Sequence, residues 1–220
     1  MNWLTRMEIH ADLRRTHKIW DNYDWHQRLW ECFPDNSDAL RDFLTRVDQQ
    51  ETLMVLWMAS LRKPICPSWC PPEGFAFKRI ASSFFEHKRY AFDLVANPTK
   101  KLSVKGEDGR CLRQGKRVAL VKEDELRAWL ERKGAERCLD AQGVSVSGGF
   151  RLITDRPLEI SPMVEQFFRK PGHAGMHGGV RFRGTLEVID TQDFIATYQH
   201  GLGSAKSFGF GLFLLAPLAN

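Results

Sequence analysis

The order of predicted strands and helices in the first half of the chain is the feature that most restricts its fold. Four strands are predicted there, at residues 4–13, 43–47, 52–60 and 89–95. A helix is predicted at residues 23–33, because apolar side chains recur there at the spacing of one helical face. Asp21 or Asn22 can cap its start. Residues 75–85 can hold a short second helix, so the order is β-α-β-β-(α)-β, the split βαβ pattern.

The second half of the chain repeats this order. Strands are predicted at residues 150–153, 180–189 and 211–216, and helices at residues 122–133 and 190–198. Two further strands, at 102–104 and 117–121, flank a basic segment. Gly134 is expected to end the first of these helices, and glycines and histidines predict a loop at 170–179. We predict an α+β protein of two tandem ferredoxin-like (RRM-like) domains, at residues 1–97 and 98–220.

The composition is that of a globular protein. Hydrophobic residues make up 43% of the 220 residues and charged residues 27%, which excludes a disordered chain. No apolar run approaches the roughly 20 residues of a membrane-spanning helix. The first residues also lack the layout of a secretory signal. We therefore expect a cytoplasmic protein that has no membrane partner.

The cysteines give little indication of a metal site. Cys66 and Cys70 lie four positions apart among prolines, which could be half of a zinc site. No second Cys or His pair with the spacing of a zinc finger follows, and structural zinc usually needs four ligands. The five cysteines are odd in number and scattered, so they do not indicate a disulfide framework. Free thiols in a loop are favoured, and no metal is expected.

Positive charge is concentrated in the second half. Residues 1–97 carry equal numbers of basic and acidic side chains, so the net charge of +5 comes from residues 98–220. Residues 100–117, the basic arm, contain seven cations against two carboxylates: Lys100, Lys101, Lys105, Arg110, Arg113, Lys116 and Arg117. Glycines within it predict a hairpin or a mobile arm. Such a segment can bind a phosphate backbone or form a solvated surface loop, and composition favours neither.

His26 is the histidine whose position most favours catalysis. Tyr23 lies three residues before it, so the two side chains share one face of the predicted helix. Imidazole can exchange a proton near neutral pH, and a nearby phenol can orient a hydroxyl or assist that transfer. The alternative is that His26 only packs beside Trp30. Spacing alone favours this structural role.

Residues 201–211 form a glycine-rich segment between a predicted helix and a predicted strand. Four glycines allow backbone amides to approach an anion, and Lys206 adds a full positive charge. The motifs of nucleotide-binding and dinucleotide-binding loops do not fit, because both precede a helix. The segment therefore suits a sugar-phosphate chain, although a tight connection into a buried strand would also need glycine.

Four motifs in chain order carry a family resemblance. They are Tyr23-x-x-His26-x-x-Leu29-Trp30 with Phe33-Pro34; Phe92-x-Leu94-x-Ala96-Asn97-Pro98; Gly115-Lys116-Arg117-Val118-x-Leu120 with Trp129-Leu130; and Gly201-x-Gly203-x-Ala205-Lys206-x-Phe208-Gly209-x-Gly211-Leu212 with Leu215-Ala216-Pro217. In these motifs the chain resembles the CasE-type CRISPR repeat endoribonucleases, which belong to a repeat-associated RNA-binding superfamily with glycine-rich loops. The motifs cover nearly the whole chain.

The resemblance implies a function as well as two ferredoxin-like domains. It implies a cut at the base of a CRISPR repeat hairpin without a metal or other cofactor. The ribose 2′-hydroxyl attacks the adjacent phosphate and leaves a 2′,3′-cyclic phosphate and a 5′-hydroxyl. By position, His26 is the general acid/base, Tyr23 positions a group or assists it, and Lys206 stabilises the phosphorane charge or holds the scissile phosphate. The resulting guide RNA is expected to stay bound, with this chain as one subunit of a CRISPR effector complex.

The chain departs from the family pattern beside the candidate site. Gln27 and then Arg28 follow the histidine, where many relatives have an arginine directly after it, and Glu31 lies one turn further on. Ser204 stands at a position that can be arginine. These differences affect RNA affinity and rate more than reaction type. The predicted RNA-binding residues are the seven cations of the basic arm with Gln27, Arg28, Gly201, Gly203 and Ser204.

Two other functions fit the same sequence. One is a non-catalytic RNA-binding subunit on this fold, in which His26 only packs or contacts RNA. The other is a metal-dependent nuclease, which is weaker because the sequence has no evident carboxylate cluster.

Overall fold

The computed structural model describes residues 1–34, 41–105, 111–135, 138–139, 145–170 and 172–219, without the side chains of residues 103–105, 111–114, 138–139, 145–146, 170 and 173. Its helices are α1 (Ala11–Thr16), α2 (Asn22–Leu29), α3 (Glu123–Ala135) and α4 (Thr191–His200). Short 3₁₀ helices span Trp30–Cys32, Pro72–Gly74, Ser82–Phe85 and Lys206–Phe208. Within this described part, none of the helices has the length and apolar character that a membrane span needs.

The strands of the described part follow in chain order. They are β1 (Trp3–His10), β2 (Phe43–Gln49), β3 (Leu53–Ser60), β4 (Phe75–Arg79), β5 (Arg89–Ala96), β6 (Thr99–Lys105), β7 (Cys111–Ala119), β8 (Cys138–Leu139), β9 (Ser145–Val146), β10 (Phe150–Leu152), β11 (Glu159–Ile160), β12 (Val164–Lys170), β13 (His173–Val188) and β14 (Phe213–Pro217).

The first sheet has the antiparallel strand order β2-β3-β1-β4, which is that of a ferredoxin-like domain. Met7 and Ile9 of β1 lie in one buried cluster with Trp25 and Leu29 of α2, so α2 covers one face of this sheet. The predicted first strand was too long, because β1 ends at His10. The side chain of His10 accepts a hydrogen bond from the Asp12 backbone N–H and caps α1 there.

The second sheet repeats that order with later strands. Its central path is β10-β13-β5-β14, and β11 and β12 also pair with β13. The chain order β5-α3-β10-β13-α4-β14 therefore forms a complete split βαβ unit, which confirms the predicted tandem fold. β6 and β7 pair with each other outside this sheet, as the hairpin predicted for the basic arm.

β5 lies in the second sheet, so its predicted place in the first sheet was wrong. It pairs with β13 and β14, and alternate side chains such as Tyr90, Phe92 and Leu94 are buried in the core that contains α3 and α4. β4 instead supplies the fourth strand of the first sheet. The division at residue 97 stays a prediction. We propose that the boundary lies before Arg89, because β5 opens the second unit.

Two further predictions were wrong because glycines there lie within regular structure. Residues 170–179 mostly belong to a hairpin, since β12 and β13 pair from Val164 and Gly179 to Lys170 and His173. Gly175 is required where the Phe168 ring covers the backbone, because a Cβ would lie 2.7 Å from it. Gly134 lies inside α3, which continues to Ala135.

Candidate functional site

α2 starts at a reciprocal cap that fixes the position of Tyr23 and His26. The Asp21 carboxylate accepts hydrogen bonds from the backbone N–H groups of Tyr23, at 2.8 Å, and Asp24, at 3.0 Å. The Asp24 carboxylate accepts one from the Asp21 N–H at 3.2 Å. This capping box matches the cap predicted from the sequence and satisfies backbone donors at the helix start. Because Trp25 faces the core, Tyr23 and His26 lie at the half-buried side of α2.

The His26 ring is held among aromatic side chains. Its centroid lies 5.6 Å from that of Phe43 and 6.2 Å from that of Trp30. Its Nδ1 atom is buried and has no hydrogen-bond partner in the described part of the chain. Burial, and secondarily the charge of Arg41, lower the pKa of His26 to about 4. The ring is therefore neutral at pH 7 and able to accept a proton.

The glycine-rich segment places Lys206 next to α2. Ala205 and Gly209 have φ of 58° and 84°, and between them Lys206–Phe208 forms a single 3₁₀ turn. That turn packs against α2 and β2. The Asn22 side chain donates a hydrogen bond of 2.9 Å to the Phe208 carbonyl oxygen, which joins the start of α2 to this turn. The structure thus brings together the helix and the loop that the sequence selected separately.

Arg41 lies within electrostatic range of both candidate catalytic groups. Burial lowers the pKa of Lys206, and the charges of Arg41 and Lys133 lower it further. Arg41 also contributes to the lowered pKa of His26. Among the residues that the structure describes, Arg41, Lys133 and Lys206 have no ion-pair partner. We call these three residues the cleft cations. The charges of Arg41 and Lys133 repel that of Lys206, and an anion bound beside Lys206 would relieve that repulsion.

Arg41 and Lys133 are the residues that the sequence analysis missed. Lys133 has a usable signal, because it follows the buried Trp129 by four residues and so lies on the same helical face. Arg41 has no comparable signal. It stands before β2 and reaches the site only through the packing of β2 beside the glycine-rich segment.

A small cavity lies between the basic arm and the glycine-rich segment. Its volume is about 260 Å³, and it is lined by Asn97, Thr99, Lys101, Arg117, Trp129, Lys133, Gly203 and Ser204. The Ser204 hydroxyl donates a hydrogen bond of 3.2 Å to the Asn97 carbonyl oxygen. Four predicted RNA-binding residues, Lys101, Arg117, Gly203 and Ser204, therefore meet at one place.

The other predicted RNA-binding residues are dispersed. Arg28 pairs with Glu31 at 2.9 Å, and Lys100 pairs with Glu125 at 2.6 Å. Gln27 and Lys116 are exposed, and Gly201 is buried against Leu44. That burial does not support direct RNA contact by Gly201. The side chains of Lys105 and Arg113, and the whole of Arg110, lie outside the described residues.

The hairpin of β12 and β13 supports both parts of the site. The His177 ring lies 4.7 Å from the Phe208 ring and 4.9 Å from the Phe168 ring. On the other strand, the Arg169 backbone N–H donates a hydrogen bond of 2.7 Å to the Asp21 carboxylate. The hairpin therefore contacts the cap of α2 and the turn that carries Lys206.

Cys66 and Cys70 are free thiols, the first exposed and the second buried. The Cys66 thiol donates to the Cys70 carbonyl oxygen at 3.5 Å. Burial, with smaller contributions from Cys66 and Glu73, raises the pKa of Cys70 to about 12. In the described ranges, no group of three or more His, Cys, Asp or Glu side chains could hold a metal ion.

Comparison with known proteins assigns the family. The profile of a family described as CRISPR associated protein matches residues 2–217. The chain belongs to this family. Among CRISPR-associated proteins, it is 35% identical to the CRISPR system Cascade subunit CasE of Escherichia coli, over 90% of this chain and 93% of that protein. It is 30% identical to the CRISPR-associated endoribonuclease Cse3 of Thermus thermophilus, over 98% of this chain and 100% of that protein.

A solved CRISPR-associated protein shows the same fold. Thermus thermophilus Cse3 bound to an RNA representing a pre-cleavage complex has a TM-score of 0.71 and 28% identity, covering 99% of this chain and 100% of that one. Both the fold class and the family predicted from the sequence are therefore confirmed.

Proposed function

We propose that this protein is a metal-independent endoribonuclease that cuts CRISPR precursor RNA at the repeat hairpin. It then stays on the guide RNA as a subunit of a CRISPR effector complex. The relatives support this assignment, because one is named an endoribonuclease and another a Cascade subunit. Because its substrate is a transcript, we also infer a cytoplasmic location.

The observation that carries the proposal is that the turn carrying Lys206 packs against α2, the helix of His26, with Arg41 in electrostatic range of both side chains. A neutral imidazole and a group of unpaired cations are the two components that self-cleavage of RNA requires. They come from distant parts of the chain, and each is partly withdrawn from solvent. Such an arrangement favours catalysis over a purely structural role for His26.

The proposed reaction moves one proton at each end of the phosphate. His26 accepts the proton of the ribose 2′-hydroxyl, whose oxygen bonds to phosphorus as the bond from phosphorus to the 5′-oxygen breaks. The imidazolium then returns a proton to that 5′-oxygen. Nδ1 is buried, so Nε2 is the nitrogen that we assign to both transfers. Tyr23, on the same side of α2, positions the reacting hydroxyl or assists one transfer.

The cleft cations stabilise the charge that develops on the phosphorane. The fold of the free protein already brings Arg41 and Lys133 into electrostatic range of Lys206, and charges that are positioned in advance need little reorganisation in the transition state. A bound phosphate also reduces the electrostatic effect of Arg41 on His26. We therefore expect the pKa of His26 to be higher in the RNA complex than in the free protein.

The basic arm is proposed to contact the backbone of the hairpin stem. Replacing Lys100, Lys101 and Lys105 together with Ala should weaken binding and flatten its dependence on salt. Affinity that stays unchanged across a salt series would exclude the arm from the interface. Duplex RNA is recognised mainly by shape and backbone, so this effect should be similar for different stem sequences.

The deciding experiment uses synthetic CRISPR repeat hairpins in EDTA. The wild type should cleave them and leave a 2′,3′-cyclic phosphate, and a 2′-deoxy substitution at the cut should abolish cleavage. His26→Ala should lower the rate by about 10²- to 10⁴-fold while hairpin binding is kept. Binding without cleavage by the wild type would instead support a non-catalytic subunit. A strict requirement for magnesium would contradict the metal-independent mechanism.

A further inference from the structure

We propose that the cavity beside the glycine-rich segment is a second phosphate site. It would bind an RNA phosphodiester that neighbours the one being cut. This inference rests on the proposed function, and it assigns Lys133 a role in substrate binding. The cavity is distinct from the position of His26, because none of its lining residues comes from α2.

The charge of the cavity fits an anion. Three of its lining residues, Lys101, Arg117 and Lys133, are cations, and none of the lining residues that the structure describes is acidic. Lys100, at the neighbouring position of β6, pairs with Glu125, and neither of these two residues lines the cavity. The cationic lining comes from β6, β7 and α3, so three separate elements converge on this site.

The shape of the cavity fits a group as small as a phosphodiester. Its volume of about 260 Å³ is below the roughly 300–1,000 Å³ of typical small-molecule sites. Gly203 adopts a φ of 88°, and a Cβ there would lie 3.2 Å from the Trp129 ring, so the backbone runs close over this ring. Ser204 also lines the cavity, but its hydroxyl proton is donated to the Asn97 carbonyl oxygen, so the cations of the lining are the groups that attract the anion.

The position of the cavity links it to the candidate catalytic site. Lys133 lines the cavity, and its charge also lowers the pKa of Lys206. The same side chain is therefore near both places. An RNA strand carries one phosphate for each nucleotide, so a strand with one phosphate at Lys206 can place a neighbouring phosphate in the cavity.

Binding of a non-cleavable hairpin tests this proposal separately from catalysis. The hairpin carries a 2′-deoxy nucleotide at the cut, and its dissociation constant is measured over a salt series. Lys133→Met should weaken binding roughly tenfold, as expected for the loss of a charged hydrogen bond, and lower the salt slope by about one. Arg132→Met is the matched control, because Arg132 is an exposed cation of the same helical turn and does not line the cavity.

A second measurement locates the phosphate. Single methylphosphonate linkages, which are uncharged, replace the phosphates on either side of the cut one at a time. When the uncharged linkage replaces the phosphate that occupies the cavity, next to the cut, Lys133→Met should weaken binding no further, because its contact is already lost. The effect of Arg132→Met on binding should be the same whichever linkage is replaced. Coupling of Lys133 only to the scissile phosphate, or to no linkage, would overturn the second site. A wild type that binds the hairpin but never cuts it would contradict the proposed function. The binding comparison between Lys133→Met and Arg132→Met would still test the second phosphate site.

Discussion

Two groups of cations lie between the two halves of the molecule, and their surroundings are opposite. The cleft cations Arg41, Lys133 and Lys206 have no ion-pair partner in the part of the chain that the structure describes. Elsewhere between the sheets, Arg46 and Arg181 pair with Asp48 and Asp93. We call this second group the ionic junction.

The ionic junction is balanced inside the protein. Arg46 of β2 is 1% exposed, and its guanidinium contacts Asp48 at 2.9 Å and Asp93 of β5 at 2.8 Å. Burial raises the pKa of Asp93, but hydrogen bonds from Arg181 and Arg46, together with their charges, outweigh it and hold the pKa at about 2. Asp93 is therefore ionised at neutral pH.

The ionic junction contains cations that stabilise the fold, whereas the cleft cations are suited to binding an anionic ligand. A buried cation is tolerated when carboxylates accompany it, and then its loss destabilises the protein. A half-buried cation among other cations costs stability, and a bound anion would compensate its charge. Stability and RNA cleavage should therefore respond in opposite ways to substitutions in the two groups.

The largest effect is expected from removing a cleft cation. Lys206→Met should lower single-turnover cleavage of a repeat hairpin by about 10²- to 10³-fold, as the loss of one charge-stabilising donor does in other enzymes. The urea midpoint should stay the same or rise, because repulsion with Arg41 and Lys133 is removed. A clear loss of stability in this variant would break the comparison.

The ionic junction should show the reverse. Asp93→Asn leaves Arg46 buried with one carboxylate fewer, and breaking a buried pair typically costs about 3 kcal/mol or more. Urea unfolding measures this loss. Glu187→Gln is the control, because Glu187 pairs at the surface with the 65%-exposed Arg151 and such pairs contribute about 1 kcal/mol or less. Equal losses in both variants would contradict a special role for the junction.

The influence of Arg41 on His26 can be measured directly. Arg41→Gln removes the charge and keeps most of the side chain, so the pKa of His26 should rise from about 4. It should remain below 6.5, because burial is the larger cause of its shift. NMR titration of the His26 ring provides the value. Arg28→Gln should leave it unchanged, since Glu31 already balances Arg28.

A further expected effect is a pH dependence of stability. The unfolded state binds a proton at His26 near pH 6.5, and the folded state does so only near pH 4. Stability should therefore fall as the pH drops from about 6.5 to about 4, and this contribution should level off below that. His26→Gln should remove this part of the dependence. Urea midpoints at pH 7, 5.5 and 4.5 for both proteins test it, and parallel curves would contradict it.

Local sequence signals predicted much of the fold. The cap at Asp21, the helix α3 and the hairpin of the basic arm each depend on neighbouring residues, and all are present. The sheet that a strand joins does not depend on neighbouring residues, because β5 has the same alternating pattern of buried side chains in either sheet. Its assignment to the first sheet was wrong for that reason.

The candidate site was partly predictable for a similar reason. His26 and Lys206 carry recognisable local motifs, whereas Arg41 and Lys133 gain their importance from long-range packing. The glycines at 170–179 predicted a loop, although small residues there let aromatic rings cover a strand. A pattern of glycines does not separate these two uses.

The strand β2 contacts both parts of the candidate site. Phe43 faces the His26 ring, while Leu44 packs on Gly201 and Arg46 reaches Asp93. Opposite sides of a single backbone thus contact the His26 ring and the glycine-rich segment that carries Lys206. Neither half of the protein, produced alone, would contain both parts of the candidate site.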